Sequence, residues 1–100
     1  MSDNPFAYPR TGKFLHIAFL WREVPKVHEL EPVFNNALDW LRYAPNCWIV
    51  WTTTDASGWY ERLRLHMSTN DSVLICELNL QNKYGWMAQW IWDWLEKPRD

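Results

Sequence analysis

One hundred residues at net charge −2, with 10 basic and 12 acidic side chains interspersed, contain no basic run of the kind that supplies the electrostatic part of nucleic-acid affinity. At 48% hydrophobic and 22% charged, the chain is globular rather than disordered, and long enough for one domain to bury a core without disulfide or metal staples. Its unusual component is nine tryptophans, side chains that fill thin cores but also anchor interfaces and stack on nucleobases.

The first twelve residues carry Asn4-Pro5, Tyr8-Pro9 and Thr11-Gly12, all turn signals, and predict an irregular arm that Phe6 and Tyr8 anchor to the body or to a partner. A single domain then runs over residues 13–97. Lys13 to Trp21 is apolar on both alternating faces, with Phe14, His16, Ala18 and Leu20 on one and Leu15, Ile17, Phe19 and Trp21 on the other. A strand of that kind is interior to its sheet and covered on both sides. Pro32 suits the first turn of a helix, and Leu30, Val33, Phe34, Ala37, Leu38 and Leu41 follow at helical spacing. That helix must stop by Pro45; Trp40 to Ala44 is either its last turn or a short extended return.

Cys47 to Thr52 is short, β-branched and aromatic, a strand pattern. Thr54 or Asp55 caps a second helix, in which Ala56, Trp59, Tyr60, Leu63 and Met67 form a stripe about 100° wide, with Leu65 exposed. Val73 to Leu80 alternates again: Leu74, Cys76, Leu78 and Leu80 face one way, Val73, Ile75, Glu77 and Asn79 the other. The second set begins apolar and ends polar, which predicts a face turned away from the two main helices and only half covered. Trp86 to Leu95 is a last helix whose apolar residues sweep roughly 240° of an ideal wheel. A helix that apolar is buried on more than one side, and in so short a chain a partner subunit is the expected cover.

Strand–helix–strand–helix–strand closed by a helix predicts an α/β (α+β) sandwich with a small, mostly antiparallel sheet, helices on one face and a Trp-rich C-terminal helix. The run Trp48-Ile49-Val50-Trp51-Thr52-Thr53, the helix containing Leu63, and Asn70-Asp71-Ser72-Val73-Leu74-Ile75-Cys76-Glu77-Leu78 together resemble the SinR-like, ferredoxin-like small proteins related to the CRISPR-adaptation endonuclease fold. The resemblance spans about Lys13 to Leu95 and implies a ferredoxin-like sandwich that forms homodimers through its sheet. It departs from the family in two places. The nucleases carry a metal-binding Asp at the end of the first strand, where this chain reads Ala18-Phe19-Leu20-Trp21-Arg22-Glu23. The fold also requires a strand before Cys47, where only Trp40 to Asn46 is available, so that strand is expected to be vestigial or missing.

No phosphate, zinc, nucleotide or catalytic-triad motif is present, and no cofactor, metal or catalytic residue is assigned. Cys47 and Cys76 read as reduced small hydrophobes inside strands. Asp71 reads as a turn residue bonding local backbone, and Arg62, Arg64 and His66 as a solvated helix face or a weak phosphate contact. The expected function is a non-enzymatic, homodimeric protein-interaction module with an interface at Val73, Ile75, Trp86, Trp90, Trp92 and Trp94. One alternative is a metal-dependent endonuclease of the resembled fold, with Glu23 standing in for the absent Asp and His16 paired with Glu77 if both face the open side of the sheet. The other is a single-stranded nucleic-acid binder that stacks bases on exposed Trp and Tyr. With no signal peptide, lipidation motif or long apolar run, a cytoplasmic protein without membrane contact is expected.

Overall fold

The computed structural model describes residues 12–99; the predicted arm, with Phe6 and Tyr8, lies outside them except for Gly12. Seven elements follow in order: β1 (Lys13–Leu20), α1 (Val27–Phe34), β2 (Asp39–Ala44), β3 (Cys47–Thr52), α2 (Ala56–Leu63, continued by a 3-10 turn at Arg64–His66), β4 (Ser72–Glu77) and α3 (Gln89–Glu96). The strands form one α+β sheet in the order β2-β3-β1-β4, every neighbouring pair antiparallel. Among the described residues no helix is long and apolar enough to cross a membrane.

β1 takes the central place its two apolar faces predict, between β3 and β4. On one face Leu15, Ile17 and Phe19 join Trp48 and Val50 of β3, and α1 and α2 close over them with Leu30, Phe34, Trp59 and Leu63, all of them buried. The filling is aromatic. Phe34 stacks on Trp48 at 4.8 Å and on Trp59 at 5.9 Å, and Phe19 meets Trp48 edge-on at 5.4 Å. Such pairings add about 0.5–1.5 kcal/mol each beyond the area they bury.

The first helix and the strand after it differ from expectation. α1 starts at Val27, so Pro32 sits within it rather than in its first turn, and it ends at Phe34. Pro32 has no N–H to give His28, and Asn36 ends the helix by donating Nδ2 to the Val33 carbonyl at 3.0 Å. Beyond that point Leu38 and Leu41 are not helical. Leu38 is exposed, and Leu41 is buried in β2, a full six-residue strand where a vestigial or missing one was expected. β2 and β3 pair as a hairpin around Pro45-Asn46, with an irregularity between Arg42 and Ala44. Asn46 then ties the hairpin to β1, donating Nδ2 to the Phe19 carbonyl at 3.0 Å and accepting the Phe19 N–H at 2.8 Å.

α2 follows its predicted stripe in part: Trp59 and Leu63 are fully buried and Leu65 is exposed, but Tyr60, placed in the stripe, is 47% exposed, and Met67 lies beyond the helix, after the 3-10 turn. Asp55 stands at its N-cap position but makes no cap bond; its carboxylate accepts instead from Lys13 Nζ at 2.9 Å.

The orientation of β4 is a correction. Its register places Ile75 opposite Ile17 and Val73 opposite Phe19, so Val73 and Ile75 pack against the helix-side core rather than away from it. Leu74 and Cys76 take the other face, and both are exposed. Both faces of this strand start apolar, so alternation alone does not choose between them, and a one-residue slip exchanges them. The turn makes the choice: Asp71 accepts the backbone N–H of Ser68 and that of Arg22, each at 2.9 Å, and so sets where β4 begins beside β1. Those two bonds hold the Asp71 carboxyl below its ordinary pKa.

Candidate functional site

The second face of the sheet carries the features of interest. α3 covers one half of it, where Ile91 is buried against Leu41 and Ile49 and is flanked by Phe14, Tyr43, Leu78, Trp94 and Leu95. The helix is shorter than its apolar pattern implied. Trp86 and Met87 precede it, Trp86 is 98% exposed and Trp90 is 53% exposed. Trp92 is half-buried with its ring against Gly85, and Trp94 is half-buried on the sheet. Of the tryptophans predicted at an interface, two therefore pack against this chain and two meet solvent.

Under α3 lies an aromatic box. Phe14 of β1 contacts Trp51 of β3 at 4.7 Å between centroids and Trp94 of α3 at 5.6 Å. Trp51 lies so close over Gly12 that an added Cβ there would sit 2.3 Å from the indole, which is why the chain needs glycine at that point. Into the box runs the guanidinium of Arg99, 4.4 Å from the Trp94 centroid, 5.1 Å from Phe14 and 5.9 Å from Trp51. Its Nη2 donates to Asp39 Oδ2 at 3.2 Å and its Nη1 to the Lys97 carbonyl at 3.1 Å.

The other half of the face is uncovered among the described residues. Leu20 is 71% exposed and Leu74 65% exposed, and with Ala18 they line a shallow, mainly apolar depression of about 240 Å³ at the edge formed by β4. Between the two halves, His16 and Tyr43 are hydrogen-bonded through Nε2 and the phenolic oxygen. Burial pushes the Tyr43 pKa up to about 12, aided by the neighbouring Cys47 thiol, so the phenol keeps its proton. Burial also lowers the His16 pKa, and a neutral imidazole with its proton on Nδ1 accepts a hydrogen bond from the phenol O–H at Nε2.

The sign of the His16 effect is testable. The unfolded chain protonates His16 first as the pH falls, so the stability held by the neutral form is complete above pH 6.5 and is lost from there down through the folded pKa. The variant His16→Gln is expected to flatten the denaturation midpoint against pH in the interval just below 6.5. An unchanged slope would assign it to another group.

The residues predicted for nuclease chemistry are scattered. His16 does face the second side, but its neighbour across β4 is Cys76, while Glu77 pairs with Leu15 on the helix side. Glu23 is exposed in the loop between β1 and α1, beside Arg22, Lys26 and Asp71. No His16–Glu77 pair forms, and no group of three His, Cys, Asp or Glu side chains among the described residues is placed to hold a metal ion. The basic face of α2 is also engaged: Arg64 donates to Glu61 at 2.7 Å, His66 Nδ1 lies 2.9 Å from Glu29, and Arg62 stacks 5.1 Å from the Trp59 centroid. Sequence reasoning missed the box altogether. Asp39 and Arg99 are 60 residues apart, and no local pattern links them. Compared with protein families, curated proteins and solved structures, the chain matches none of them.

Proposed function

We propose that this chain is a small non-enzymatic interaction module of the ferredoxin-like, SinR-like kind that works as a cytoplasmic homodimer through its second sheet face and the β4 edge. The observation that carries it is the apolar half of that face left uncovered among the described residues, with Leu74 on the bordering strand β4 and Leu20 beside it at the end of β1. The β-α-β-β-α-β order with β1 and β2 separated by β3 supports the ferredoxin-like part of the proposal.

An exposed edge usually carries lysine, proline or a bulge against uncontrolled pairing. β4 reads Ser-Val-Leu-Ile-Cys-Glu, and its outward residues Ser72, Leu74 and Cys76 carry no charge. Two copies pairing antiparallel about Ile75 of β4 place each Glu77 opposite a Val73 and each Leu74 opposite a Cys76, so no like charges meet across an isologous two-fold contact. The nuclease alternative has no comparable support, its three side chains being apart. Stacking of single-stranded nucleic acid is supported by Tyr84 and Trp86, both fully exposed near Lys83; salt-dependent binding of a labelled oligonucleotide would favour it.

Sedimentation equilibrium at micromolar concentration tests the dimer. Twice the chain mass is expected for the wild type, and the single-chain mass for Leu20→Glu with unchanged circular dichroism. A wild-type protein at the single-chain mass, or a Leu20→Glu variant that remains paired, would count against this surface.

A further inference from the structure

We infer that the Phe14–Trp51–Trp94–Asp39 box is a receptor for an arginine side chain, filled in cis by Arg99 and able to take the arginine of a partner polypeptide when Arg99 leaves. The arrangement is a built site. The Arg99 side chain is only 8% exposed, its charge faces a carboxylate at 3.2 Å, and aromatic rings of β1, β3 and α3 surround it. Weakly hydrated, planar guanidinium gives up water for such a seat more readily than ammonium does.

The chain contains its own comparison. Lys97 is within 3.7 Å of the same carboxylate oxygen, yet its side chain stays 61% exposed, outside the box. With both cation types available to Asp39, the guanidinium takes the aromatic seat.

Three of the four walls belong to the sheet: Phe14 on β1, Asp39 on β2 and Trp51 on β3, the latter two being direct neighbours in register. The fourth, Trp94, is carried by a helix that Ile91 seats independently. Removing Arg99 therefore leaves the walls in place. A cleft of about 400 Å³ shares Phe14 and Trp51 with the box and is lined by both Lys13 and Glu77 and by the run of residues 78–81, which gives the rest of an arginine-bearing segment a place to lie.

The test uses Arg99→Ala in the full chain, titrated calorimetrically with N-acetylarginine amide. Saturable binding is expected, at least tenfold tighter than that of N-acetyllysine amide and tenfold tighter than that of the same probe to the wild type. Adding Asp39→Asn to Arg99→Ala is expected to remove it. A folded Arg99→Ala variant without saturable binding would overturn the proposal, and so would equal affinity for the two probes or equal affinity in the wild type. If Arg99→Ala does not fold unaided, recovery of the native circular dichroism with millimolar N-acetylarginine amide supports the site, and recovery no better than with N-acetyllysine amide overturns it. These outcomes do not depend on the dimer, whose variant lies on the other half of the face.

Discussion

Trp59→Ala is expected to cost about 4 kcal/mol of folding free energy, within the range for deleting a fully buried aromatic side chain. Trp59 is 0% exposed, stacks on Phe34, and donates its indole N–H to Thr52 Oγ1 at 3.1 Å. Alanine leaves a cavity that α1 and α2 close only in part, because the sheet beneath is fixed by the pairing of β1 with β3. It also takes one donor from Thr52, a buried hydroxyl that receives the Thr54 N–H at 3.1 Å as well. A domain of this size is stable by about 5–15 kcal/mol, so the loss is a large fraction, and the melting temperature is expected to fall by roughly 15–30 °C. Trp90→Ala serves as the control. Its side chain is 53% exposed, and urea denaturation of the monomeric Leu20→Glu background is expected to show a change within about 0.5 kcal/mol. Equal losses for the two tryptophans would mean that the assignment of core and surface is wrong.

The adjacent pair Ile75→Asp and Leu74→Asp separates the two faces of β4 by different readouts. Ile75 packs on Ile17 and the helix-side core, so a carboxylate there loses apolar burial and must either find water or take up a proton; a loss of about 3 kcal/mol is expected. Leu74 is 65% exposed, and aspartate there is expected to leave the urea midpoint nearly unchanged at concentrations where the chain is monomeric. The oligomeric mass should behave oppositely, with Leu74→Asp releasing single chains at concentrations where the wild type pairs. If Leu74→Asp proves the more destabilising of the two in the monomer, the register of β4 on β1 is shifted by one residue.

The elements legible in advance were those with one dominant pattern. β1, apolar on both faces, announced an interior strand, and the α2 stripe of Trp59 and Leu63 announced its buried side. Two segments carried patterns that fitted more than one structure. Leu38 and Leu41 continue the helical spacing of Leu30 and Phe34 only by coincidence. Pro32 and the Asn36 cap end α1 first, and the chain turns back as β2. In β4 the choice of face rested on where the strand starts, which is set by Asp71 accepting the N–H of Arg22 across 49 residues.

The Trp-rich segment shows the same limit at the candidate site. Its apolar arc required burial on several sides, yet Trp86 lies outside the helix, and α3 finds its main cover on the second sheet face through Ile91, Trp94 and Leu95. Composition and periodicity, then, determined by themselves an α+β sandwich, a central β1 and an aromatic core, because burying apolar side chains at period 2 or 3.6 is a local property of the chain. Register, the second coverage of the sheet and the box that holds Arg99 were decided only in the tertiary structure. Each depends on which of several adequate apolar faces meet, and on a charge pair whose members are brought together by the fold alone.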